Sequence, residues 1–151
     1  ANEATLTFMV GCEKIFFNYI QPLLGLMGTQ INHIGNYGSG MMVKVLNNFI
    51  AASSVVSVRH VLHQAHKFEL DIEALFNTID ASSGQTWFGT NRANIEWFKE
   101  SFKSDNTMGI LMKDVLAYVD AFENEVDKDN FVSGGLSDSI LKALKNMPTD
   151  K

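Results

Sequence analysis

A single lysine stands among apolar residues in the stretch GNYGSGMMVKVLNN, residues 35–48, where Met41, Met42, Val43, Val45 and Leu46 surround Lys44. An ammonium in that setting either snorkels to water or is kept for chemistry, because burying it unpaired is costly. If the stretch is helical, Asn48 follows one turn later and about 40° around the axis, so amine and carboxamide share a face with Asn47 beside them. Gly40, one turn before Lys44, and Ala51 and Ala52, one turn beyond Asn48, keep that strip flat. A partly desolvated lysine can exchange protons near neutrality, and a neighbouring amide can hold the hydroxyl or carbonyl being transformed. A plainer reading fits equally well: a solvent-facing lysine, with two asparagines bonded to backbone. Spacing alone leaves both open.

The glycines ahead of the lysine do not form a nucleotide motif. Gly35-x-x-Gly38-x-Gly40 has the wrong order for a dinucleotide fingerprint, and no P-loop Gly-Lys-Ser/Thr follows. On spacing they are a turn from strand into helix.

The elements that must position the lysine follow from periodicity. Thr5 to Val10 alternates as a short strand, Glu13 to Met27 has helical spacing with Gly28 as its stop, and QINHIG is a second strand ending at Gly35. The helical apolar set there is Ile15, Phe16, Tyr19, Ile20, Leu23, Leu24 and Met27. This β-α-β unit is too small to bury both faces of its strands, so it reads as the edge of a larger sheet. From Ser39 to about Lys67 one proline-free helix of about 40 Å is expected. It is apolar or small nearly all round until Arg59, which predicts burial on every side. Further helices are expected from Asp71 as N-cap to Ser82, from Thr86 to Phe102, from Thr107 to Glu125, and from Ser137 to before Pro148, with NFVSGG as loop. The expected fold is mainly α: residues 1–34 a strand-helix-strand remnant, residues 35–151 an all-helical domain around the long helix.

Composition narrows the function. The 151 residues are 46% hydrophobic and 19% charged, enough for a core. A net charge of -5 without a basic block argues against nucleic acid. No signal peptide opens the chain, and no window reaches the ~20 apolar residues of a membrane span, so no membrane partner and a cytoplasmic location are expected. Cys12 is alone, read as a small buried hydrophobe. His60, His63 and His66 spread too widely around a helix to be a metal site. Trp87, Phe88, Trp97, Phe98 and Phe102 read as core or subunit interface, and the run Glu123, Glu125, Asp127, Asp129 as a solvated helix end.

LTFMVG, GNYGSGMMVKVLNN and LMKDV, with GGLSDSILKAL near the end, resemble the C-terminal half of the β-hydroxyacid dehydrogenases. That family includes 3-hydroxyisobutyrate dehydrogenase, tartronate semialdehyde reductase and, more distantly, 6-phosphogluconate dehydrogenase. The resemblance implies a Rossmann domain holding NAD or NADP, joined through the long helix to a helical domain. It implies Lys44 as general acid/base and Asn48 as the group orienting the substrate. Gly38 and Gly40 would admit substrate at the helix start, and Asn47, where relatives acting on 6-phosphogluconate tend to carry His, favours a smaller hydroxyacid. Lys113 would reach toward the cofactor. Two departures stand: Asp105-Asn106-Thr107 replaces a usual aromatic, and the stretch between KDV and LSDSIL is about one helix short. There is no Gly-x-Gly-x-x-Gly, and the abrupt start three residues before a strand reads as that of a fragment. The expectation is therefore an oxidoreductase fragment, inactive alone, acting on a small hydroxyacid and forming a homodimer or higher homo-oligomer. A non-catalytic helical oligomerisation module is the alternative.

Overall fold

The computed structural model describes residues 6–123 and 135–149. The chain divides into two compact units, Ala1–Asn47 and Asn48–Lys151, with the division inside one long helix.

In the first unit, strands β1 (Thr7–Gly11) and β2 (Gln30–Gly35) pair in parallel, with helix α1 (Lys14–Leu24) crossing between them. The register runs Thr7 to Gln30 through Val10 to His33, then shifts by one residue so that Gly11 meets Gly35. α1 ends at Leu24, short of the expected Met27. Gly28 is not its stop: a Cβ there would lie 2.1 Å from the Leu6 carbonyl oxygen, so this glycine lets the chain pass tightly under β1. The buried residue of α1 is Phe17, whereas Ile15, Phe16, Tyr19 and Leu23 are exposed. Two strands cover only one side of a helix, and the side they cover is Phe17's. Its ring lies 4.7 Å from that of His33, whose Nε2 is 2.7 Å from the Cys12 carbonyl oxygen. Cys12 itself is buried, as a small hydrophobe would be.

α2 spans Ser39–Lys67 without a break, the limits its sequence predicts. Its first turn is welded to the sheet. A Cβ on Gly40 would sit 2.3 Å from the Met9 carbonyl oxygen, a contact no side chain permits.

In the second unit, α2 supplies Ala52, Val55, Val58 and Leu62 to a core shared with Phe76, Phe98, Met108, Leu111, Val115, Ile140 and Leu144. These come from α3 (Ile72–Asp80), a segment of short turns, α5 (Thr107–Tyr118) and α6 (Leu136–Lys145). Burial all round α2 is not found: Met41, Met42, Leu46, Ile50 and Val61 are exposed. By length and composition α2 would also suffice to cross a membrane, with a mean hydropathy of 1.5 in its most apolar window, contrary to the expectation that no window qualifies. Small residues (Ala, Ser, Gly) between the large apolar ones dilute the pattern to the eye, yet barely lower the mean.

Asp71 caps α3, its carboxylate accepting from the Ala74 N–H at 3.0 Å. The single helix expected from Thr86 to Phe102 is instead α4 (Trp87–Asn91) followed by two 3-10 turns, Arg92–Asn94 and Glu96–Lys99. Ile95 is extended between them, and at the end of the second turn the carbonyls of Phe98 and Glu100 are taken by a side chain from α2. Arg59, buried, donates from Nη1 to the Phe98 carbonyl and, at 3.2 Å, to that of Glu100, and from Nη2 to Pro148. Its guanidinium lies 5.6 Å from the Phe98 ring centre. Of the aromatic group, Phe98 is core and Trp97, Phe88 and Phe102 pack against it, but Trp87 is exposed. Asn106 caps α5, accepting from the Met108 and Gly109 N–H groups, and a π turn follows at Val119–Glu123. Glu125, Asp127, Asp129 and most of NFVSGG lie outside the described residues.

Candidate functional site

Lys44 and Asn48 stand one turn apart on a continuous helix, so their shared face follows from helix geometry. The two side chains have different settings. Lys44 is exposed, with no hydrogen bond or ion pair among the described residues, so the desolvation expected of it is not supplied by this chain. Asn48 is half-buried and donates from Nδ2 to Asp114 Oδ2 at 3.0 Å.

Asp114 was not singled out by sequence reasoning, which weighed only its neighbour Lys113. The structure makes Asp114 the inward member of the pair and leaves Lys113 exposed. One turn on, Tyr118 stacks on Phe49 with ring centres 3.8 Å apart, next to the Asn48–Asp114 bond. α5 thus docks on α2 through two consecutive turns, one polar and one aromatic. A charged acceptor holding an amide strengthens the bond and fixes which way the amide faces. The signal available in sequence was an i, i+4 Asp-Tyr pair on a helix facing an Asn-Phe pair.

The glycines separate. Gly40 is expected, from its place one turn before Lys44, to leave room for substrate; its bare side instead lies against β1 backbone as a packing contact. Gly38 is different: its φ is +89°, and nothing lies within 4 Å of where its Cβ would be. Asn47 is exposed. Gly11, too, is closed by the Asn36 carbonyl and the Gly40 and Ser39 groups. Gly11 and Gly40 are therefore packed against backbone, while Gly38 alone of the three faces open space. No group of three or more His, Cys, Asp or Glu side chains gathers for a metal among the described residues.

Comparison with known proteins agrees with this fold. A 3-hydroxyisobutyrate dehydrogenase from Mycobacterium tuberculosis, solved with L-serine, superposes with a TM-score of 0.70 at 26% identity, covering 97% of this chain and 53% of that one. The mitochondrial 3-hydroxyisobutyrate dehydrogenase of Drosophila melanogaster is 37% identical over 87 residues, 58% of this chain and 27% of that protein. The 2-(hydroxymethyl)glutarate dehydrogenase of Eubacterium barkeri is 36% identical over 87 residues, covering 58% and 29% respectively. The chain spans about half the length of the solved relative, and its matches to the curated ones cover less than a third of them. Residues 38–132, which carry Lys44, Asn48 and Asp114, match the family described as "NAD-binding of NADP-dependent 3-hydroxyisobutyrate dehydrogenase", and the chain belongs to that family.

Proposed function

We propose that this chain is the C-terminal helical part of an NAD(P)-dependent oxidoreductase that interconverts a small β-hydroxyacid and its semialdehyde or keto form. The observation carrying the proposal is the pinned carboxamide of Asn48, one helical turn from an unpaired amine, within the stretch that matches the family. Lys44 is the general acid/base. In the oxidative direction its amine takes the hydroxyl proton as the carbinol C–H bond gives up its electron pair with the hydride; in reverse the ammonium returns that proton to the nascent alkoxide. Bound NAD or NADP supplies the hydride acceptor or donor. Asn48 holds the substrate oxygen or carboxylate, and Asp114 positions Asn48. Gly38 leaves room for substrate beside the start of α2, where backbone N–H groups favour an anion. Asn47 keeps the site suited to a small acid, and Lys113 reaches toward the cofactor.

The residues described here fit the reacting end of a dinucleotide and not its phosphates. The remaining contacts, and the desolvation of Lys44, are assigned to a preceding Rossmann domain. On this reading the trailing strands belong to that domain, the parent protein is a cytoplasmic homodimer joined through its helical parts, and the chain alone is inactive. The competing reading is a helical oligomerisation module without catalysis; the exposed apolar residues Met41, Met42, Leu46 and Ile50 suit assembly in either case.

Lys44→Ala in the full-length protein separates the two. General acid/base catalysis predicts a loss of kcat of about 10²–10⁴-fold with unchanged thermal stability. Unchanged turnover removes Lys44 from its role.

A further inference from the structure

We propose that a groove between α2 and α6 binds a small organic anion with a short aliphatic body, at a site separate from Lys44 and independent of the reaction assigned to it. The groove lies wholly in the second unit and encloses about 420 Å³. Small-molecule sites occupy roughly 300–1,000 Å³ and combine an apolar floor with a few polar groups. This groove has both. Val56, Ala143 and Met147 give it apolar walls, while His60, His63, Lys142 and Asn146 bring polar ends to its lining.

Three features select an anion. Among the described residues no Asp or Glu lines the groove, although the chain as a whole carries a net charge of -5. The side chains of His60, His63 and Lys142 have no hydrogen-bond or ion-pair partner among the described residues, so their N–H groups are available to a ligand. His60 and His63 are three apart on α2 and face the same groove, while Lys142 enters from α6, so donors converge from two helices. The carbonyl pole at the end of α6 opposes an anion, and Lys142 and Lys145 in its last turn offset it. Arg59 forms part of the same wall with its guanidinium spent on backbone carbonyls, which makes the floor rigid. Donors of this kind take a carboxylate or phosphate head, and the apolar walls take an attached hydrocarbon.

Hexanoate, 1-hexanol and inorganic phosphate distinguish the parts of this proposal when titrated into the 151-residue chain while His60 and His63 ring protons are followed by NMR. Saturable shifts are expected with hexanoate, with at least about tenfold weaker binding of the other two, since each lacks half of the recognition. Lys142→Glu is expected to weaken hexanoate about tenfold or more, and Lys142→Met to a smaller extent, with circular dichroism melts confirming that both variants fold. Hexanol binding as tightly as hexanoate overturns the anionic half, phosphate doing so overturns the aliphatic half, and absence of saturable shifts or indifference to Lys142→Glu overturns the site itself.

Discussion

Asn48 on α2 and Asp114 on α5 are 66 positions apart in the chain and joined by a 3.0 Å hydrogen bond, half-buried, with the Phe49–Tyr118 stack beside it. The bond fixes the donor side of the carboxamide, and on the proposed function its oxygen would then face the substrate in a defined direction. Removing the acceptor should cost about 1–2 kcal/mol of stability, because the half-buried amide loses this charge-assisted hydrogen bond. If the full-length protein has the proposed activity, Asp114→Ala should also lower kcat by about tenfold or more. Asp114→Asn, which keeps an acceptor oxygen, should restore most of both. If the two variants behave alike, Asp114 is a structural residue only.

The isolated chain should show no hydride transfer from NADH or NADPH to a small β-ketoacid or semialdehyde. Absorbance at the reduced nicotinamide band is the measurement. A rate above background that disappears in Lys44→Ala would show that this chain catalyses hydride transfer without the proposed Rossmann domain.

Gly40→Ala and Gly38→Ala should differ sharply. The first places a methyl 2.3 Å from the Met9 carbonyl and must separate α2 from β1, which predicts a loss of several kcal/mol or failure to fold, by analogy with severe overpacking. The second meets open space and has only its positive φ to contend with, about 1–2 kcal/mol. Urea melts of both proteins give the comparison. Equal costs would mean that α2's first turn is not held by β1.

Arg59→Met should destabilise the chain by about 3 kcal/mol or more, since the buried Phe98 carbonyl and the part-buried ones of Glu100 and Pro148 lose their donor. A loss under about 1 kcal/mol would show that water replaces the guanidinium there.

Much of this architecture was legible. β2 and α2 have the limits their patterns predict, and Asp71 caps α3, because a glycine turn, an apolar period and a short carboxylate are all local signals. The helix expected through Thr86–Phe102 was not legible, because its carbonyls are claimed by Arg59 from 39 and 41 positions away, beyond any local window. α1 was misread for a related reason: many of its residues are apolar, and only the neighbouring sheet decides that Phe17 is the one covered. Within the candidate site, Lys44 and Asn48 could be found by type and spacing. Asp114 could not, since its importance lies in a contact across 66 positions. Gly40 could be found but not interpreted, for a missing side chain reads the same whether substrate or strand lies opposite.

The guanidinium on α2 also ties down the far end of the chain, at Pro148, 89 positions downstream. Terminal residues can usually be shaved or extended at little cost. Here a deletion reaching Pro148 would remove one of the three carbonyls that hold the buried Arg59 guanidinium in the middle of the longest helix. A proteolytic nick near residue 147 should therefore loosen the second unit from its interior outward.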